Sequence, residues 1–191
     1  MHETPRVDAS RSFLFLLGST RRDGNTELLA RRAAEQLPQG VPQRWLHLSE
    51  LPLPSFTDHR HDDRTRWTLP EGHGATLLDA TLTATDLVIA SPLYWYAVST
   101  SVKQYLDHWS GWLRAPGVDF RARMAGRTLW GVSALADEDL SAADPLIGTL
   151  NRTADYMGMR FGGVLLGYGN RPGDVLRDEE ALRRAKTFFD H

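Results

Sequence analysis

The sequence has no cysteine, only two lysines and no long apolar run. Without cysteine the chain cannot form a disulfide, a thiolate nucleophile, or a zinc or iron–sulfur site held by cysteine. Its 22 basic and 24 acidic residues leave a formal charge of −2, so no overall basic field favours nucleic acid. No apolar run approaches the ~20 residues that cross a bilayer, and residues 1–12 lack the apolar core of a signal peptide. We therefore expect a cytoplasmic protein that binds neither nucleic acid nor membrane.

Five short apolar segments alternate with five segments of helical pattern, which is typical of βαβ units in one parallel sheet. Right-handed crossovers and five strands favour a flavodoxin-like α/β fold, a doubly wound five-stranded parallel sheet in the order 2-1-3-4-5 with helices on both faces. We predict a flexible arm over residues 1–12 and a single domain over residues 13–191. The predicted strands are 13–17, 43–48, 86–90, 127–133 and 159–166, and the predicted helices are 25–37, 73–83, 99–113, 141–157 and 178–190.

Segment 18–26, GSTRRDGNT, is a polar loop between the first predicted strand and the first predicted helix. Free N–H groups at a helix start, together with hydroxyls and an arginine, suit a bound phosphate. The loop is not the P-loop of nucleoside-triphosphate enzymes, because no lysine follows it, and Thr20 breaks the dinucleotide pattern G-x-G-x-x-G. The alternative is a plain polar loop in which Asn25 or Thr26 caps the helix.

A second loop, 91–99, follows the third predicted strand and carries three consecutive aromatic residues, Tyr94, Trp95 and Tyr96. In the order 2-1-3-4-5 the direction of winding reverses between strands one and three, so ligands are expected on the loops that follow them. Aromatic faces beside backbone amides suit a flat conjugated ring. Taken alone, the aromatic triplet indicates residues that are buried in the core or that form a subunit contact. Beside a phosphate loop, it indicates a mononucleotide site.

Both loops resemble motifs of the NADPH-dependent FMN reductase family. Segment 18–26 is similar to the family's GS-x-R-x-x-GNT loop, and segment 91–109, SPLYWYAVSTSVKQYLDHW, is similar to its SP-x-Y-x-x-x-x-S-x-x-LK-x-x-x-DR segment. Val102 and His108 stand where leucine and arginine are usual. Segment 169–175 also resembles a PGDV turn of a subgroup allied to iron–sulfur flavoproteins, and only the flavin part of that comparison applies to a chain without cysteine.

This resemblance implies bound FMN, with NADPH or NADH as co-substrate. The loops after strands one, three and four would surround the cofactor. The implied FMN-binding residues are Ser19, Arg21, Asn25 and Thr26 at the phosphate, Pro92, Leu93, Tyr94 and Trp95 along the isoalloxazine, and Ser133 and Ala134 on the other side of the ring.

The resemblance further implies an oxidoreductase that passes hydride from NAD(P)H through FMN to a small acceptor: a quinone, an azo or nitro compound, or free flavin. Both substrates would use one site in a ping-pong mechanism. We name no catalytic side chain and no metal, because the flavin carries the chemistry. The alternative is a flavodoxin-type electron carrier, which the charge of −2 disfavours because such carriers are strongly acidic. By the same resemblance we expect a homodimer. The choice between NADH and NADPH stays open.

Two further segments have less definite roles. Residues 50–72 contain many charges and three prolines without periodicity, which predicts a long loop that is functional or mobile. Within it, the HRHDD segment (59–63) is interpreted as solvated charge, because spacing alone does not preorganise a metal site. Trp109 and Trp112, three residues apart on a predicted helix, indicate burial in the core first and a subunit contact second.

Overall fold

The computed structural model describes residues 10–62 and 67–190, which form a five-stranded parallel sheet in the order β2-β1-β3-β4-β5. This confirms the predicted flavodoxin-like fold. The strands are β1 Phe13–Leu17, β2 Gln43–His47, β3 Asp86–Ala90, β4 Thr128–Leu135 and β5 Arg160–Tyr168. The helices are α1 Asn25–Ala34, α2 Gly72–Thr83, α3 Thr100–Trp112, α4 Phe120–Met124, α5 Asp144–Met157 and α6 Glu179–Ala185, with 3₁₀ turns at Leu140–Ala143 and Asp174–Arg177.

The three inner strands are mostly apolar, which suits strands that helices cover on both faces. Every residue of β1, β3 and β4 is buried. Helices α2 to α5 pack on one face of the sheet and α1 and α6 pack on the other, so each face has its own hydrophobic core. Trp109 and Trp112 lie in the first of these cores, which confirms their interpretation as core residues.

The structure differs from the sequence prediction mainly in short elements. Helix α4 was not predicted, because five residues are too few to show a helical period, although Phe120 and Met124 are buried on one side of it. Helix α1 ends three residues earlier than predicted, at Ala34, and α6 ends at Ala185. Within residues 10–62 and 67–190, no helix combines the length and the apolar character that a membrane span requires.

The amino edge of the sheet is organised around the buried carboxylate of Asp86. Arg11 donates to it from Nε at 3.0 Å and from Nη2 at 2.6 Å, and Trp130 donates from its indole nitrogen at 2.8 Å. A Cβ at position 162 would stand 2.2 Å from the Trp130 ring, so Gly162 provides the space for the indole. Arg11 is therefore bonded to the sheet, whereas residues 1–9 of the predicted arm lie outside the described residues.

The long loop after β2 contacts α3 through residues 53–56. The Gln104 amide on α3 donates to the carbonyl of Leu53 at 2.8 Å, and Nε2 of His108 lies 2.8 Å from the carbonyl of Pro54. Residues 63–66, which include the last aspartate of the HRHDD segment, lie outside the described chain. The loop is thus held against a helix of its own subunit.

Candidate cofactor site

A cavity of about 320 Å³ opens at the carboxyl edge of the sheet, where the loops after β1, β3, β4 and β5 meet. Ligands are expected at this edge of a doubly wound sheet. Eight of the ten residues predicted to bind FMN line the cavity, and Trp95 and Ser133 do not. The lining residues are Ser19, Thr20, Arg21, Gly24, Asn25, Thr26, Pro92, Leu93, Tyr94, Ala134, Leu135, Ala136, Gly169, Asn170 and Pro172.

Gly18 brings the first two loops together. A Cβ at this position would lie 2.4 Å from Cγ2 of Val102 and 2.6 Å from the hydroxyl of Ser99, so any larger residue would push α3 away. The hydroxyl of Ser101 donates to the Gly18 carbonyl at 3.1 Å. The loop after β1 and the start of α3 are therefore packed directly against each other.

The loop after β1 is shaped by hydrogen bonds from its own backbone. The amide of Arg21 donates to the Ser19 hydroxyl oxygen at 3.0 Å, and the amide of Asp23 donates to Glu27 Oε2 at 3.0 Å. Glu27 is buried in the first turn of α1, where Arg31 donates to its other oxygen at 2.6 Å. Sequence reasoning missed Glu27, because an acidic residue in a first turn is an ordinary feature of a helix.

The start of α1 has no side-chain cap. Gly24 holds the N-cap position and has no side chain to accept a hydrogen bond from the first-turn amides. An N-cap of serine, aspartate or asparagine would normally satisfy one of these donors. The first turn therefore presents N–H groups and the positive end of the helix dipole to the cavity.

Asn25 connects α1 to the loop after β5. Its Nδ2 donates to the carbonyl of Arg171 at 2.9 Å, and its Oδ1 accepts from the amide of Gly173 at 2.9 Å. A Cβ at Gly169 would stand 2.7 Å from the same Nδ2. Both ends of the Asn25 amide are thus engaged by this loop, and Asn25 also lines the cavity at the helix start.

Thr26 and the end of β4 form the next wall. The amide of Ala134 donates to the Thr26 hydroxyl oxygen at 3.2 Å, which fixes the start of α1 against β4. Ser133 is fully buried inside β4, and its hydroxyl has no hydrogen-bond partner among the described residues. This side of the cavity is formed by Ala134 and the two residues after it instead.

The loop after β3 is a tight two-residue turn with aromatic residues at its tip. Tyr94 and Ala97 exchange two backbone hydrogen bonds of 3.1 Å across it. Trp95 and Tyr96 have φ angles of 49° and 64°, the left-handed region that such a turn requires and that usually selects glycine or asparagine. Tyr94 lines the main cavity, whereas Trp95 and Tyr96 line a second cavity of about 220 Å³ beside it.

The loop after β5 completes the site, and sequence analysis named no FMN-binding residue in it. Gly169, Asn170 and Pro172 line the cavity. The resemblance of segment 169–175 to a flavoprotein turn was the signal that pointed there. Its position beside α1 depends on β5 lying at the sheet edge and on the contacts of Asn25, neither of which a single motif reveals.

The loop after β4 contributes negative charge next to the cavity. It carries Asp137, Glu138 and Asp139, all exposed. Hydrogen bonds from Ser141 hold the pKa of Asp139 below its ordinary value, so this carboxylate is charged at neutral pH. The main cavity, in contrast, has Arg21 as its one charged lining residue among those described.

Residues 12–152 match the family model described as NADPH-dependent FMN reductase. YwqN of Bacillus subtilis, named as an NAD(P)H-dependent FMN-containing oxidoreductase, is 33% identical over 173 residues, which cover 90% of this chain and 93% of that protein. The structure of the Trp repressor binding protein from Bacillus subtilis is 29% identical and superposes with a TM-score of 0.74, covering 93% of this chain and 97% of that one.

The NAD(P)H:quinone oxidoreductase of Methanothermobacter marburgensis has the same fold, with a TM-score of 0.69 at 16% identity over 95% of each chain. The family match covers most of the chain and includes both loops that carry the motifs. The chain therefore belongs to the NADPH-dependent FMN reductase family, which confirms the predicted family, the oxidoreductase class and the use of FMN with NAD(P)H.

Proposed function

We propose that FMN binds in the cavity at the carboxyl edge of the sheet and that the enzyme passes hydride from NAD(P)H to a small acceptor by a ping-pong mechanism. The acceptor is a quinone, an azo or nitro compound, or free flavin. One observation carries this proposal: a single cavity has hydroxyl groups, an arginine and a helix start at one end and apolar and aromatic residues at the other.

The phosphate end fits a dianion. Ser19 and Thr26 supply hydroxyls, Arg21 supplies an exposed guanidinium, and the first turn of α1 supplies uncapped amides. Charge-assisted hydrogen bonds of this kind are about twice as strong as neutral ones. We assign the phosphate to these groups, with Asn25 contributing through its backbone.

The other end fits a flat ring. Pro92, Leu93 and Tyr94 form one wall, and Ala134 with the residue after it lies across from them. Small and apolar walls let a planar heterocycle lie between two loops while backbone amides meet its polar edge. Trp95 lies just beyond this end, in the adjoining cavity.

When bound, FMN supplies the hydride transfer chemistry. Among the described residues, the cavity lining contains no histidine, lysine or carboxylate that would act as a general acid or base. The chain's contribution is therefore to bind, to orient and to exclude water through the apolar side chains of Leu93 and Leu135. Because NAD(P)H and the acceptor must reach the same ring, we propose that they occupy the site in turn.

The test is spectroscopic and kinetic. Purified protein should be yellow with about one flavin per chain, and NADH or NADPH should bleach it anaerobically. With menadione as acceptor, double-reciprocal plots at several NAD(P)H concentrations should be parallel. Protein that takes up no FMN would overturn the assigned site, and converging lines would overturn the ping-pong order. Flavin reduced by dithionite but by neither nicotinamide would indicate an electron carrier.

We also propose a homodimer, and this rests on the family resemblance. Static light scattering of the FMN-loaded protein at micromolar concentration should give twice the mass of the 21.5 kDa chain. A mass of one chain would overturn it. The cytoplasmic location stays a prediction.

A further inference from the structure

A second cavity of about 220 Å³ adjoins the proposed FMN site. The two cavities share Leu93, Leu135 and Ala136, so a molecule in the second one would lie directly beside the ring end of the first. The remaining lining includes Trp95, Tyr96 and Asp137. The second cavity thus opens next to the proposed position of the flavin ring and is continuous with its apolar wall.

Its aromatic wall is held by an unusual backbone. Trp95 and Tyr96 both have positive φ, a conformation that side chains bearing a Cβ rarely adopt. Such strained positions cluster at sites where they serve a function. The consequence here is that two aromatic side chains are displayed rather than packed: Trp95 is 93% exposed and Tyr96 is 57% exposed. A flat aromatic ligand would cover surface that the chain leaves open to solvent.

The charges of the two cavities are opposite in sign. The charged lining residue of the FMN cavity is Arg21, and that of the second cavity is Asp137. Glu138 and Asp139 follow Asp137 in the same exposed loop, and none of the three pairs with a basic residue in the described parts of the chain. The Asp139 amide donates to Asp137 Oδ1 at 3.0 Å and fixes the orientation of that carboxylate. A ligand in the second cavity therefore meets aromatic faces and a negative rim.

We propose that this second cavity is the acceptor subsite and that Asp137 is a specificity-determining residue within it. It favours aromatic acceptors that carry a cationic or amino group and disfavours those that carry sulfonate or carboxylate. This inference rests on the proposed function, because it names the class of acceptor for the same reaction. The Trp95–Tyr96 turn supplies stacking affinity that is independent of acceptor charge.

The test uses three azobenzenes that differ at one para position, with a trimethylammonium, a hydroxymethyl or a sulfonate group. At saturating NAD(P)H and low ionic strength, kcat/KM should fall from the cationic to the neutral to the anionic compound by about three- to fivefold per step, as for exposed charge pairs. Raising the salt concentration should bring these ratios closer to one, because salt screens exposed charges. Asp137→Asn keeps the Oδ1 acceptor for the Asp139 amide and should bring the three values within about twofold of each other.

Asp79→Asn is the matched control, because Asp79 is exposed and pairs with Arg44 at the opposite edge of the sheet. It should leave the charge preference unchanged. A second readout avoids turnover: quenching of tryptophan fluorescence in the oxidised protein should give dissociation constants with the same order of charge preference. Trp95→Leu should weaken binding of all three compounds by a similar factor.

The outcomes separate the two proposals. Reduction of the neutral compound with equal kcat/KM for the other two, or a preference that survives Asp137→Asn, would overturn the acceptor subsite and leave the proposed function intact. If yellow protein reduces menadione but none of the three azobenzenes, this inference falls and the proposed function stands. If it reduces neither menadione nor the azobenzenes with either nicotinamide, both fall.

Discussion

Asn25 illustrates how a residue in a binding motif acts through another part of the chain. Its amide is bonded to the backbone at Arg171 and Gly173, so it positions the loop after β5. We predict that Asn25→Ala weakens FMN binding on the order of tenfold, through loss of about 1 kcal/mol of hydrogen bonding and a displaced cavity wall.

Riboflavin, which lacks the phosphate, distinguishes this role from direct phosphate binding. If Asn25 positions the loop, Asn25→Ala should weaken riboflavin and FMN by similar factors in a fluorescence titration. Loss of FMN affinity alone would instead make Asn25 a phosphate ligand and contradict the prediction. Asn151→Ala, at an exposed position on α5, is the control and should change neither affinity.

Tyr105 is a buried phenol with a predictable effect at high pH. Burial raises the pKa of Tyr105, and its hydroxyl lies 2.6 Å from that of Thr81. In the unfolded chain the pKa of a tyrosine is about 10. Above that pH the unfolded state loses this proton while the folded state keeps it, so stability falls as pH rises.

We predict that wild type loses about 1.4 kcal/mol more unfolding free energy than Tyr105→Phe between pH 8 and pH 11. At pH 8, Tyr105→Phe should lower the free energy of unfolding by about 1 kcal/mol, because it removes one buried hydrogen bond. Urea unfolding of both proteins across this range measures the difference. Parallel pH dependences would show that Tyr105 ionises as readily in the fold as outside it.

The predicted FMN-binding residues that line the cavity lie mainly in glycine- and aromatic-rich loop motifs. Ser19, Arg21 and Tyr94 lie on loops whose composition reveals them, and all three line the cavity. Ser133 does not line it, because its side chain is buried inside β4. Every residue of this strand is buried, so its sequence shows no alternation that would reveal the side facing the cavity. Asn170 lies in segment 169–175, whose resemblance to a flavoprotein turn pointed to this loop, but its place in the cavity depends on β5 lying at the sheet edge.

At the scale of elements, the long loop after β2 is held by side chains of α3. We predict that Gln104→Ala, which removes the donor to the Leu53 carbonyl, increases the rate of tryptic cleavage at Arg60 about fivefold. One lost hydrogen bond of about 1 kcal/mol raises the population of the detached loop by that factor. Cleavage followed by mass spectrometry gives the rate.

Lys103→Ala is the control for this experiment, because Lys103 is adjacent on α3 and pairs only with the partly exposed Asp107 among the described residues. Trypsin should cleave Lys103→Ala at Arg60 at the wild-type rate. Equal acceleration in both variants would mean that α3 itself is destabilised and that the Gln104 contact does not hold the loop.

The long strands and helices were predictable because each is long enough to show its period or its continuous apolar run. Helix α4 and the two 3₁₀ turns were not, since they span five residues or fewer. The order of the strands followed from alternation and crossover handedness. The shape of the second cavity did not follow, because it depends on the positive φ angles of Trp95 and Tyr96, which sequence composition argues against.

At the scale of the whole molecule, the buried ion pair and the cavities lie at opposite edges of the sheet. The carboxyl edge carries the cavities, and the amino edge carries the Asp86 carboxylate with Arg11 and Trp130. Asp86 is 2% exposed and the Arg11 side chain is 15% exposed, so this ion pair is shielded from water. Removing one partner would leave a buried charge uncompensated.

We predict that Arg11→Ala lowers the free energy of unfolding by about 3–5 kcal/mol while changing the FMN dissociation constant less than twofold at a temperature where the variant is folded. Guanidinium unfolding and flavin fluorescence titration provide the two measurements. Arg44→Ala is the control, because Arg44 lies at the same edge in an exposed pair with Asp79. This substitution should lower the free energy of unfolding by less than about 1 kcal/mol. A large change in FMN affinity for Arg11→Ala, with the sheet still folded, would show that the two edges are coupled.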